Sequence, residues 1–258
     1  MSTWMLLFRK EMLESTRNFK WLWIPLVFLL LGISNPISSY YMPQILEANG
    51  IDSETVALLA MPTAAEIMAK SLSQYGTIGI IVLALGFMGI IATERQSGSA
   101  IMVLVKPVSY TSYIMAKWSA MAVITVAALG LGQLGTWYYT GVLFETVSFQ
   151  LIWTSFLVYA LWLLFLNSIT LLFSCLLKSI GGIAFITVGV AALLSLVTGL
   201  LSEWMKWSPS RLSSEAGNLL LEGQSSNDLW LVIVVTMIII GGLVVASVAA
   251  SKRMWKRE

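Results

Sequence analysis

Histidine is absent from this 258-residue sequence. That removes Ser-His hydrolases, His-ligated haem and most zinc enzymes, because each needs an imidazole as base or ligand. Cysteine occurs once, as Cys175, so neither an intrachain disulfide nor a multi-thiolate metal site can form. Charge is scarce. Charged residues make up 11% of the chain, against about 25% in a soluble domain. The net charge of +2 supplies no broad basic field, so nucleic acid is not an expected partner. No G-x-x-x-x-G-K-[ST] phosphate loop occurs, so the chain cannot hold ATP in the usual way. Apolar residues are abundant at 58%. A soluble fold of this length would leave much of that surface in water. The composition specifies an integral membrane protein, with residues 1–258 forming a single transmembrane domain.

A bilayer core about 30 Å thick takes roughly 20 apolar helical residues to cross. Six stretches reach that length without an internal charge: 21–41, 75–93, 118–138, 151–177, 180–201 and 229–250. Transmembrane β-strands are shorter and alternate in polarity, so the expected fold is all-α with six transmembrane helices. Trp21, Trp23, Tyr40, Tyr41, Trp118, Trp137, Tyr138, Trp204, Trp207 and Trp230 sit near span ends, where an amphipathic ring is half wetted. Tyr159 and Trp162 fall mid-span and are expected inside the bundle. Lys178 and Ser179 alone separate the fourth and fifth spans, which makes a tight hairpin.

Twelve of the fifteen basic residues fall on one side of these spans; Lys70, Lys206 and Arg211 fall on the other. The positive-inside rule then places both termini in the cytoplasm. A 20-residue tail precedes the first span and no A-x-A site follows it, which argues against a cleaved signal peptide. Ionisable groups inside spans mark ion pathways, and none lies inside these. Pro25, Pro36, Gly86 and Gly89 could still break helices and expose carbonyls. Gly130, Gly132 and Gly135, and the row Gly242, Ala246 and Ala250, allow close helix approach, within one chain or between two.

The loop from Glu94 to Trp118 carries the most information. Glu94 and Arg95 end the second span at the interface, and Gly98 supplies a bend. Ser99 can cap a short helix over residues 100–105, whose apolar Ile101, Met102, Leu104 and Val105 need a partner. Pro107 stops that helix and Ser109 caps the next, which runs through Lys117 into the third span. Before the first span, Trp4, Met5, Phe8, Met12 and Phe19 fall on one helical face and Lys10, Glu14, Arg17 and Asn18 opposite, though Leu6, Leu7 and Leu13 interrupt the pattern. Such a helix lies flat on anionic membrane lipid. Beyond the fifth span, Ser210 can cap a short helix over 211–221.

This loop resembles that of the ABC-2-type permeases, the membrane subunits of one class of ATP-binding-cassette exporters. Their loop after the second span commonly reads E, three or so residues, G-T-L-E, an apolar run, P-[VI]-S and then a lysine. The sequence matches at Glu94, Gly98, Pro107, Val108, Ser109 and Lys117, and departs at Ser99, Ala100 and Ile101, where threonine, leucine and glutamate are usual. The resemblance extends to the six spans and the preceding tail, hence to nearly the whole chain. It implies a permease subunit, an exporter of the cytoplasmic membrane in a bacterium, served by a separate ABC ATPase subunit that holds ATP and Mg. This chain would then carry no cofactor, no metal and no catalytic residue. The resemblance makes Glu94, Arg95, Gly98, Ser99, Ile101, Leu104, Pro107, Ser109 and Lys117 the candidates for ATPase docking through a short coupling helix. The tail with Trp4, Phe8, Met12 and Arg17 becomes the elbow helix. It also implies a second permease chain, identical or related, and a substrate path near the first and fifth spans. The fifth span has Thr187, Ser195 and Thr198 as its few hydroxyls, which suits an amphiphile better than a sugar. A different class of function uses the same docking helix: a regulatory or sensory complex that holds a cytoplasmic partner with little net transport.

Overall fold

The computed structural model describes residues 3–57, 61–98 and 108–255. All regular structure among them is helical. In chain order the helices are α1 (Thr3–Arg17), α2 (Lys20–Ala48), α3 (Ser53–Ala57), α4 (Ala64–Gln74), a π-helical turn at Tyr75–Gly79, α5 (Ile80–Phe87) and α6 (Ala92–Gln96). After the next loop come α7 (Tyr110–Leu143), α8 (Phe149–Leu176), α9 (Ile180–Leu200), α10 (Arg211–Glu222) and α11 (Leu229–Trp255). Six helical stretches are long and apolar enough to cross a membrane: α2, the composite Ala64–Gln96, α7, α8, α9 and most of α11.

Several boundaries differ from the sequence expectation. The segment 42–74 is not a plain loop. α2 runs on to Ala48 and α4 begins at Ala64. A capping box starts α4: Thr63 Oγ1 accepts from Glu66 N at 3.3 Å, and Glu66 Oε2 accepts from Thr63 N at 2.9 Å. Pro25, Pro36 and Pro43 all lie within an unbroken α2. The break falls in the second span, where a turn at 88–91 containing Gly89 separates α5 from α6. Ser174 Oγ of α8 accepts from Ile91 N at 3.1 Å and Ala92 N at 3.3 Å. A neighbouring hydroxyl thus satisfies amide donors that the interrupted helix frees, as a membrane interior requires. The helix expected after Ser109 is present: α7 begins at Tyr110, two turns before Trp118, and Ser109 Oγ caps it by accepting from Ser112 N at 3.1 Å. The hairpin between α8 and α9 is as tight as expected, with Ser179 Oγ accepting from Gly182 N.

α8 is the hub of the bundle. Within its most apolar stretch 72% of residues are buried, against 22% in α9 and α11, so the last two spans lie at the periphery. Tyr159 and Trp162 of α8 are each 1% exposed. α2 and α7 pair along their glycines. A Cβ on Gly32 would stand 2.3 Å from the Gly132 carbonyl oxygen and 2.5 Å from Tyr75 Oη. One on Gly135 would stand 2.6 Å from Leu29 Cδ1. Gly132 and Gly135 therefore serve packing within the chain. Tyr75 closes this contact, stacking on Phe28 with centroids 5.2 Å apart. Polar side chains lock the hub internally: Tyr159 Oη donates to Leu72 O, Trp118 Nε1 to Ser168 Oγ, and Asn167 Nδ2 to Thr125 Oγ1.

The helix expected after residue 210 is present as α10, yet Ser210 does not cap it. Its hydroxyl instead reaches Thr198 Oγ1 at 2.7 Å and Leu194 O at 3.3 Å, pinning the start of α10 to the end of α9.

Candidate functional site

The chain's densest cluster of described charged side chains lies where α1, α6 and α7 meet. The face of α1 turned to the bundle is not the apolar one. Leu7, Lys10, Glu11 and Glu14 follow the i, i+3, i+4, i+7 spacing of a single helical face, and Glu11 is buried. Trp4, Met5, Leu6 and Leu13 are exposed. The sequence placed Lys10 and Glu14 on the polar face of a helix lying on anionic lipid, and the structure turns that part of the face toward the bundle. Partners decide the orientation: a buried charge is tolerated where opposite charges and hydrogen bonds meet it.

Those partners come from the two ends of the loop that follows the second span. Glu94 lies on α6, while Tyr113 and Lys117 lie one turn apart on α7. Lys117 is fully buried; its Nζ stands 3.0 Å from Glu11 Oε1 and 3.0 Å from Glu94 Oε2. Tyr113 Oη donates to Glu94 Oε2 at 2.5 Å, and the Lys117 ammonium sits 5.1 Å from the Tyr113 ring centroid. From α1, Lys10 Nζ reaches Glu11 at 3.0 Å and Glu14 at 2.9 Å, and it also bridges to the other oxygen of Glu94. Burial works against the Lys10 charge, but Glu11, Glu94 and Glu14 outweigh it and hold the ammonium above its usual pKa. Lys20, at the head of α2, shares a cleft of about 80 Å³ with Glu11, Glu14, Gly89 and Thr93, its ammonium 5.9 Å from the Phe87 ring centroid. Two ammonium groups, Lys10 and Lys117, thus pair with three carboxylates, and Lys20 lines the adjoining cleft.

Glu11, Glu14 and Glu94 present oxygens within 4.8 Å of one another, a spacing that could hold a metal ion. Lys10 and Lys117 already sit among them and supply the positive charge. The arrangement is a staple: α1, the end of the second span and the start of the third are joined through Glu94 and Lys117, so the loop between these two residues is anchored at both ends to one ionic network.

The expected docking residues divide accordingly. Glu94, near the end of the second span, is a buried ion-pair partner, and Lys117, on the helix expected after Ser109, is fully buried as well. Arg95 is half-buried on the opposite side, lining a groove with Arg253. Gly98 takes the left-handed conformation, φ +71°, that favours glycine, and Ser109 caps α7. Ser99, Ile101, Leu104 and Pro107, with the expected helix over 100–105, lie outside the described residues. On α1, Trp4 and Phe8 stack 5.6 Å apart, Met12 is half-buried and Arg17 is exposed. Of the fifth-span hydroxyls, Thr187 bonds its own helix, Thr198 bonds Ser208, and Ser195 is exposed. The charged stripe Lys10–Glu11–Glu14 was visible in the sequence as helical spacing. Nothing local showed that Glu94, Tyr113 and Lys117 would face it.

Six stretches able to span a membrane define a multi-pass membrane protein, in which one ionic network joins the end of the second span to the start of the third. The comparisons carry this further. The model of a family described as ABC-2 family transporter protein matches residues 5–210, which hold the entire ionic network. Over 228 residues, 88% of each chain, the sequence is 31% identical to "Uncharacterized transmembrane protein YxlG" of Bacillus subtilis (strain 168). The chain belongs to the ABC-2 transporter family. It is accordingly a membrane transport component, a permease of the ATP-binding-cassette class, and the family points to the cytoplasmic membrane.

Proposed function

We propose that this chain is the permease half of an exporter whose ATP is bound, with Mg, and hydrolysed by a separate ABC ATPase subunit. Two permease chains would form the path, with both termini cytoplasmic. The loop between Glu94 and Lys117 would receive the ATPase through the segment holding Ser99, Ile101 and Leu104. The observation that carries this reading is the ionic staple. A push on the loop reaches α6, α7 and α1 together, because separating buried Lys117 from Glu11 and Glu94 costs far more than moving the group as one body. α1, with its apolar Trp4, Met5 and Leu6 exposed, would lie in the interface as the elbow helix and share the motion. ATP binding to the partner drives transport only insofar as it favours one access state of the spans over the other.

The test is co-purification. Tagged wild-type chain should bring down an ABC ATPase, and I101D/L104D should lose it while remaining folded and in the membrane. A wild type without ATPase, or a double variant that keeps it, refutes the docking assignment.

A further inference from the structure

At the pole of the bundle away from the ionic network lies a cleft of about 370 Å³ between α4 and α10. Ser73, Gly76 and Thr77 line one wall, spaced as one helical face. Ser213 and Ser214 of α10 line the other, with Gly217 and Asn218 one turn further on. Tyr159 of α8 closes the floor, its hydroxyl already given to Leu72 O at 2.9 Å. The helical stretch Ala64–Gln96 has 33 residues, and Glu94 stands near one end of it. About twenty of them cross the hydrocarbon. Ser73 and Thr77 therefore fall at the opposite interface, within reach of water. Glycines keep the cleft open. A Cβ on Gly217 would meet nothing within 4 Å, and one on Gly76 would meet only Tyr159 Oη, at 3.2 Å. Gly76 and Thr77 belong to the π-helical turn, in which Ile80 N donates to Tyr75 O five residues back. Such turns are frequent at functional sites.

The lining is polar yet uncharged. Ser213 Oγ donates to Ser210 O, Ser214 Oγ to Arg211 O and Thr77 Oγ1 to Gln74 O. Each of these hydroxyls keeps lone pairs with which to accept. The side chains of Ser73 and Asn218 are exposed and make no hydrogen bond among the described residues. They add a hydroxyl and an amide that both donate and accept. No carboxylate, ammonium or guanidinium group lines the cleft among the described residues.

We infer that this cleft binds an uncharged hexose ring, free or as the headgroup of a glycolipid. A phosphate or an ammonium group would give up hydration there and meet no opposite charge. An acyl chain would strip water from five polar side chains and return no hydrogen bond. The hydroxyls of a sugar donate and accept from adjacent atoms. They match a lining in which three acceptors stand beside two groups that do both. The volume falls within the range of about 300–1,000 Å³ of small-ligand sites. The inference stands on the cleft and not on the ATPase reading: its test contains no ATPase, and co-purification involves no sugar.

The test uses purified full-length chain in a polyoxyethylene detergent, which carries no sugar. Binding is read by native mass spectrometry and stabilisation by thermal unfolding. The probes are the methyl glycosides of glucose, galactose and mannose, glucosyl diacylglycerol, diacylglycerol of the same acyl chains, and glucose 6-phosphate. A methyl glycoside or the glycolipid should bind and raise the melting temperature, and which of them does so assigns the source. Diacylglycerol and glucose 6-phosphate should not. Gly217→Leu fills the cleft where no atom stands, so it should fold like wild type and lose the sugar. S214A/N218L changes two exposed side chains and should weaken binding roughly tenfold by removing their hydrogen bonds. Gly189→Leu, in open space on α9, should change nothing. The inference is overturned if no sugar probe binds, or if diacylglycerol matches the glycolipid. It is equally overturned if glucose 6-phosphate matches the methyl glycosides, or if Gly217→Leu binds sugar like wild type. The probes compared on wild-type protein decide the matter even if a variant fails to fold.

Discussion

Replacing Lys117 with methionine removes a fully buried cation that touches both Glu11 and Glu94, at 3.0 Å each. Methionine matches the lysine stem in length and fills the space, so no cavity enters the effect. What remains is two buried carboxylates, served from the α1 side by Lys10. Breaking a buried pair by deleting one partner costs about 3–5 kcal/mol. For a chain of this size that corresponds to a fall in melting temperature of roughly 6–20 °C. Eleven tryptophans make intrinsic fluorescence a convenient probe in detergent, and Trp118 reports locally through its bond to Ser168. The loss should persist in high salt, since buried pairs are weakly screened. The second arm is a double-mutant cycle. Glu94→Gln alone leaves Lys117 with Glu11 only; with Lys117→Met it removes a charge of each sign. The double variant should therefore be more stable than the sum of the singles by about 1 kcal/mol or more. A shift in Lys117→Met below about 2 °C, or strict additivity in the cycle, would refute the staple.

Other outcomes follow from the same structure. Ser174→Ala leaves the amides of Ile91 and Ala92 without their acceptor, and each should cost about 1–3 kcal/mol, read as a lower melting temperature. Gly32→Ala forces a methyl to within 2.3 Å of the Gly132 carbonyl and should destabilise by about 1–3 kcal/mol through overpacking; Gly189→Ala, in open space, serves as the control and should be neutral or better. Lys10 has a pKa raised above the ordinary 10.5, so its contribution is complete below that value and is lost as pH rises through the folded value. Lys10→Gln should flatten the alkaline limb of the stability profile, and parallel curves would show that Lys10 is not coupled to the carboxylates. Topology can be read with cysteine substitutions, since Cys175 is 2% exposed and gives a quiet background. Ser53→Cys should react with an impermeant thiol reagent added outside intact cells and Ser97→Cys should not; the reverse pattern places the loop on the wrong side.

The spans were legible because hydropathy is a local property. Each of the six stretches is apolar over enough residues to be recognised alone, and the structure contains a helix at each. Helix starts were legible where a capping residue stood ahead of an apolar stretch, as Ser109 does before the third span, and α7 starts at Tyr110. The start of α4 was less visible, since its capping box lies in a stretch that reads as loop. Ser210 is the converse: a residue type suited to capping found a better acceptor in Leu194 and a hydroxyl partner in Thr198.

The sequence by itself determined that this is an all-helical membrane protein, that its second loop carries the docking candidates, and that the loop resembles the family to which the chain belongs. All of this rests on composition, periodicity and short motifs, which add up along the chain. Only the tertiary structure decided that Glu94 and Lys117 are the buried centre of a staple rather than the rim of a loop. Lys10 meets Glu94 across 84 residues and Glu11 meets Lys117 across 106. A charge in a sequence carries no record of its partner. Whether it faces water or the interior is settled by what the fold sets opposite it, and here the fold sets the ammonium groups of Lys10 and Lys117 against three carboxylates.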